Sequence, residues 1–176
     1  MLVVELIVIL LIVLVLIWGV WIYNLLVRDR HRVAAAWSDI DVQLKRRHDL
    51  IPKLVESVQS YSAYEQATLQ NLTLLRARSQ QTDDPQLRGP VETELASNIQ
   101  RLLALAEAYP DLKASNNFLD LQREITVVEQ SLQHARRYYN GAVRNLNTRI
   151  DSFPDLLIAR ALNYRYAVYF QLEESV

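Results

Sequence analysis

Chemistry in this chain would have to come from its histidines, clustered cations and carboxylates. The three histidines, His31, His48 and His134, come first. Covalent catalysis needs a nucleophile, a base within hydrogen-bond reach and a group that orients the base. The histidines are scattered in polar surroundings, His31 in an arginine-rich run and His134 just before Ala135-Arg136, so they read as exposed helical residues. Neither G-x-S-x-G nor H-E-x-x-H occurs. A two-metal site inside a helical bundle calls for Glu-x-x-His on each of two helices, and the nearest approach is Glu129 with His134, five residues apart. Three glycines cannot build a phosphate-cradling loop. With no cysteine there is no thiol nucleophile, thiolate metal ligand or disulfide. No catalytic residue, cofactor or metal ligand is therefore expected, and an enzyme is the least favoured class.

The charges that remain fall into two clusters. Arg28, Arg30 and Arg32 form the first, and Lys45, Arg46 and Arg47, flanked by Asp41 and Asp49, form the second. Across the chain, 19 Lys and Arg against 20 Asp and Glu give a net charge of −1, which offers no general pull toward nucleic acid. Trp37, Ile40 and Leu44 make a short apolar stripe between the two clusters. This stripe packs on its own bundle or on a neighbouring copy, or, with the second cluster, forms a site for a partner protein, since Trp and Arg commonly anchor interfaces. The candidate interaction surface is thus Trp37, Asp41, Lys45, Arg46, Arg47 and Asp49.

These residues are placed by helices, the first of which is apolar. Leu2 to Ile22 reads LVVELIVILLIVLVLIWGVWI with a single charge, Glu5, close to the ~20 residues that cross a ~30 Å hydrocarbon core. A cleavable leader would show a charged start, a shorter apolar stretch and a small-x-small site, and none is present. Glu5 lies about one turn in, where it reaches the outer interface or faces a neighbouring helix. Trp18, Trp21 and Tyr23 suit the opposite headgroup level, and Arg28, Arg30 and Arg32 follow on what reads as the cytoplasmic side. The first triplet is therefore assigned to topology and lipid headgroups. A straight helix carries Lys45 roughly 30 Å beyond the bilayer, out of reach of that surface.

Between Val20 and Ile51 there is neither Gly nor Pro, so the helix is expected to leave the membrane without a break. Pro52 either kinks it or starts a new helix capped by Asp49, the kink being the simpler outcome. The apolar positions Ile51, Leu54, Val58 and Tyr61, followed by Leu69, Leu72 and Leu75, predict one helix from about residue 28 to 81. Thr82 to Pro90, TDDPQLRGP, reads as a loop joining an antiparallel pair, and a second helix over 91–108 turns Val91, Leu95, Ile99, Leu102 and Leu105 or Ala106 inward. YPDLKASNN is the next connection. Phe118, Leu121, Ile125, Val128, Leu132, Ala135, Tyr139, Ala142 and Leu146 form a heptad seam on a third helix over 117–150, capped by Asn116 or Asn117. Gly141 within it is read as permitting close helix approach, a bend being the alternative. A short helix over 155–163 and an extended tail with Tyr164, Tyr166, Val168 and Phe170 complete the chain. The expected fold is all-α: an anchor over 1–27, then an antiparallel up-and-down bundle over 28–176.

AWSDIDVQLKRRHDLIPKLV from Ala36 to Val55, preceded by YNLLV from Tyr23, is similar to the LemA family of bacterial membrane proteins. YPDLKASNNFLDLQRE from Tyr109, ARRYYN from Ala135, Asn145 to Thr148, and Phe153-Pro154 extend the resemblance over essentially the whole chain. Two departures are Lys53, where relatives usually place Asn after the Pro, and Asn163-Tyr164 in place of a Gly-Phe. The resemblance implies a single N-terminal membrane anchor, an antiparallel helical bundle and no agreed enzymatic activity. From residues and resemblance together, the expectation is a non-enzymatic scaffold on the bacterial inner membrane. Its N-terminus would lie outside and its bundle in the cytoplasm, and it would contact lipid and form a homo-oligomer. The alternative is an adaptor that binds a protein partner through Trp37 and Lys45 to Arg47.

Overall fold

The computed structural model describes residues 1–59, 66–82, 84–106 and 108–170, and among these residues there are helices and no strands. In chain order they are α1 (Leu2–Gln59), α2 (Gln66–Gln80), α3 (Pro85–Ala106), α4 (Pro110–Lys113), α5 (Asn116–Asp151) and α6 (Asp155–Ala161). The all-α bundle expected from periodicity is present.

α1 runs unbroken from the apolar segment into the bundle, with Pro52 inside it. It is long and apolar enough to cross a membrane. The large apolar side chains from Leu2 to Ile17 are each 44 to 75% exposed, so nothing in the fold covers them. Burial begins at Ile22 and Leu26, which pack with Leu146, Ile150 and Ala159, with Trp18 half-buried against them. The packed domain therefore reaches several residues back into the range assigned to the anchor.

The single helix expected over 28–81 is in fact two that reverse direction. Ser79 near the end of α2 and His48 in α1 both bond the same oxygen of Glu92. Were α2 coaxial with α1, the 31-residue step from His48 to Ser79 would separate the two by more than about 40 Å at about 1.5 Å per residue. α2 thus runs antiparallel to α1. Tyr61, on the proposed stripe, lies outside the described residues.

The loop expected at Thr82 to Pro90 is shorter than its composition suggested, because α3 begins at Pro85. Proline is favoured at a first helical position, where its missing N–H would be unpaired in any case. The Asp84 carboxylate accepts from the Gln86 amide at 2.9 Å and so caps the helix. Pro90 is accommodated within α3. At α5 the cap is Ser115 rather than Asn116 or Asn117, both of which are already helical.

Up-down-up-down packing of α1, α2, α3 and α5 holds for the half farther from the apolar segment. Its core joins Leu54, Val58, Leu72, Leu95, Ile99 and Leu102, among others. Leu69, Leu75, Val91 and Ala106 are buried as expected, while the side chain of Leu105 is outside the described set. Nearer the apolar segment only α1 and α5 continue, and α6 and the extended chain to Phe170 fill the space other helices would occupy. Along α5 the seam passes through Val143, which is fully buried, rather than Ala142. Gly141 has no close neighbour, because a Cβ added there meets nothing within 4 Å. The expected close helix approach at that point is absent.

Candidate functional site

The residues singled out from sequence divide between the core and the surface. Lys45, Arg46 and Asp49 are exposed, as are His31 and His134. Arg47 and His48, one residue on, are each only 1% exposed. The reason is helical phase. Ile40, Leu44, Ile51 and Leu54 define the inward stripe of α1, and Arg47 falls on it with His48 beside it. Arg47 is therefore a core residue and not part of an interaction surface, and His48 is not an exposed histidine.

What satisfies these buried groups is Glu92, itself 0% exposed and on the inward stripe of α3 with Leu95, Ile99 and Leu102. Arg47 Nη1 donates to Glu92 Oε2 at 2.7 Å and to the Glu92 carbonyl at 3.2 Å, while Nη2 reaches Glu129 Oε2 on α5 at 2.7 Å. His48 Nε2 lies 2.9 Å from Glu92 Oε1, and Ser79 Oγ donates to the same oxygen. One carboxylate thus ties together α1, α2 and α3, and the guanidinium adds α5. Burial pushes the Glu92 carboxyl up, but the His48 hydrogen bond, the Arg47 charge and the Ser79 hydroxyl outweigh it and hold Glu92 below the ordinary glutamate range. Asp41, which flanks the same cluster, accepts from Arg88 Nη1 of α3 at 2.8 Å.

Ser79, His48 and Glu92 are the residue types of a nucleophile, a base and an acid, but they are wired differently. In a hydrolase triad the imidazole stands between hydroxyl and carboxylate so that it can take the hydroxyl proton. Here the carboxylate is central, the hydroxyl donates to it, and all three groups are buried. This geometry clamps helices together and does not activate a nucleophile. Glu129, expected as the nearest thing to a metal ligand, pairs with Arg47, and no group of acidic or histidine side chains among the described residues is arranged to hold a metal.

A second buried carboxylate, Asp29, occupies the same stripe of α1 nearer the apolar segment, between Leu26 and Ala36, and is 4% exposed. Arg149 Nε of α5 donates to Asp29 Oδ2 at 2.6 Å, and its Nη1 to Asp155 Oδ2 of α6 at 2.8 Å. Desolvation works against the Arg149 charge, yet its bonds to the two carboxylates raise it above the ordinary guanidinium value. Arg28 and Arg32 approach Asp29 from the surface at 3.9 and 3.3 Å. Two of the three cations assigned to lipid headgroups therefore also balance a buried acid, while Arg30 remains exposed.

Trp37 is occupied from within. Its ring meets Tyr139 at 5.4 Å and Phe170 at 5.5 Å. The chain bearing Phe170 is held by two asparagines one heptad apart on α5. Asn147 donates to the Ala167 carbonyl and accepts from its amide, both at 2.9 Å. Asn140 does the same for Phe170 at 3.1 and 3.0 Å, and Tyr139 donates to the Val168 carbonyl at 2.7 Å. The side-chain amides stand in for a neighbouring strand, which is how an extended segment without a sheet keeps its backbone paired. Asn163 has φ 52 and lets Tyr164 N reach Ala159 O at 2.9 Å. Asparagine is the residue besides glycine that readily takes this left-handed position at a helix end, so Asn163 ends α6 and starts the tail.

Comparison with known proteins adds two findings. The model of a family described as the LemA family matches residues 36–176. Protein LemA of Metamycoplasma hominis is 31% identical over 155 residues, covering 86% of this chain and 69% of that protein.

Proposed function

The chain belongs to the LemA family, and from that membership we propose that it is a non-enzymatic helical scaffold, anchored in the bacterial inner membrane by α1 and self-associating along the cytoplasmic face. The observation that carries this reading is the continuity of α1. An apolar stretch that nothing covers passes without a break into the inward stripe of a bundle clamped by buried ion pairs. A rigid exit of this kind fixes how the bundle stands on the membrane. Copies confined to one surface also meet at raised effective concentration, so modest lateral contacts suffice for assembly.

The positive-inside rule supports a bundle on the inner side, since Arg28, Arg30 and Arg32 follow the apolar stretch. Exposed Val42, Leu74, Leu87 and Val127 provide apolar area on the bundle that lateral contacts would cover. The adaptor alternative is weaker, because Trp37 and Arg47, which would anchor a partner, are engaged inside the molecule. The test is native mass measurement of the full-length protein in mild detergent. Multiple copies per particle are expected, and monomers alone would sink the scaffold reading.

A further inference from the structure

We infer that α6 and the Phe153-Pro154 turn before it form a second membrane contact, lying in the headgroup and acyl boundary beside the exit of α1. This rests on the reading of α1 as a membrane span. The occupant of the surface is the lipid bilayer itself.

The level of α6 along α1 is fixed by contact. Ile158 Cδ1 lies 3.9 Å from where a Cβ on Gly19 would be, an ordinary packing distance. Gly19 belongs to the apolar run, between Trp18 and Trp21, the aromatic pair that suits an interface. Ile158 and Ala159 face α1 and pack around Ile22 and Leu26. α5 approaches from the bundle, with Ile150 in that same cluster, so Phe153 follows at the point where the chain has come down to the apolar run.

The other side of this element is apolar and uncovered. Phe153 is 79% exposed and Leu157 55%. Isolated apolar residues on a soluble surface need no explanation. Two on this short turn and helix, at the level where the same chain bears an uncovered apolar helix, form a surface continuous with that helix. The flanking charges suit the same position. Arg160 and Arg165 are exposed, as is Arg30 on α1, and cations of this kind sit at the phosphate level when apolar neighbours insert. Asp155, the acid on α6, is turned inward to Arg149 and does not face the lipid.

The chain has no cysteine, so single-cysteine variants of the full-length protein report one site each. An environment-sensitive dye would be placed at Phe153→Cys and Leu157→Cys, with Val20→Cys on α1 and Val127→Cys on the distal bundle as references. Each variant is reconstituted in phosphatidylethanolamine and phosphatidylglycerol vesicles carrying a lipid with a shallow spin-label quencher. The expected result is a loss of fluorescence at 153 and 157 matching that at 20, with none at 127. Quenching at 20 but not at 153 or 157 would overturn the second contact and leave the anchor standing. A blue-shifted dye at 157 that lipid does not quench would mean that another copy covers this face, and would also overturn it. Absence of quenching at 20 would overturn the anchor, and the second contact with it.

Discussion

The two halves of the bundle solve one problem, a carboxylate on an inward helix stripe, with different materials. In the distal half Glu92 is enclosed by helices on all sides and answered by an arginine, a histidine and a serine from two other helices. In the proximal half Asp29 is answered by Arg149 from α5, with α6 and surface arginines completing the shell. The distal network is centred on a fully buried carboxylate and joins four helices. The proximal one is ringed by exposed cations and joined to a tail held by side-chain amides. The lesson is that four packed helices fix the distal half, whereas beside the apolar segment α1 and α5 are completed by the short helix α6 and an extended tail.

If this contrast is right, the largest effect should come from Glu92→Ala. Removing one partner of a buried ion pair costs about 3–5 kcal/mol, here leaving His48 without its carboxylate and Arg47 with Glu129 alone. Denaturant titration should show the loss, and a variant within 1 kcal/mol of the parent, on the scale of that estimate, would mean the network is not a clamp. The same group sets an acid response. Because Glu92 is held below its ordinary value when folded, its contribution is fully present above the ordinary glutamate range and is lost as pH falls through the lowered folded value. Thermal midpoints between pH 7 and pH 3 should therefore fall more steeply in the parent than in Glu92→Gln. Equal slopes would assign the acid response to other carboxylates.

Proximal changes should be smaller and more local. Asn140→Ala and Asn147→Ala each remove two bonds to the tail, at about 1 kcal/mol per bond. Amide exchange at Ala167 and Phe170 should accelerate while the distal core keeps its protection. Loss of distal protection in these variants would erase the distinction between the halves. Gly141→Ala should stabilise by about 0.5–1 kcal/mol, since a methyl group there meets open space and alanine is the better helix former. Lys45→Ala, on the exposed side of the same run that buries Arg47, should fall within about 0.5 kcal/mol of the parent.

Much of this architecture was legible in the residues. The apolar run, the α5 seam and the antiparallel pair around TDDPQLRGP follow from periodicity and turn chemistry, and the inward positions of α5 needed only the exchange of Ala142 for Val143. The reversal between α1 and α2 was not legible. No Gly or Pro lies between Pro52 and Thr82, and an apolar stripe has the same period whichever way the chain runs. The buried network was missed for a different reason. Charged residues were sorted by type, which put Arg47 with Lys45 and Arg46 on a surface.

Phase would have sorted them correctly. Ile22, Leu26, Asp29, Val33, Ala36, Ile40, Leu44, Arg47, Ile51, Leu54 and Val58 advance in steps of three and four throughout, and Glu92 continues into Leu95, Ile99, Leu102 and Ala106 in the same way. An acid or a guanidinium on such a series is a buried charge in search of a partner. Which partner it finds depends on tertiary packing, and that the sequence does not encode locally. The tail was read as extended from its alternation, but the asparagines that hold it gave no signal of their own, since Asn on a helix surface is ordinary.

The central claim, a scaffold assembled on the membrane, is most directly tested by counting copies in an undisturbed bilayer. A fluorophore on a single cysteine at exposed Asp39, in full-length protein reconstituted at low density in supported bilayers, reports copy number by stepwise photobleaching. Spots with several steps each are expected, persisting as the protein is diluted. Single-step spots at every density would contradict the account.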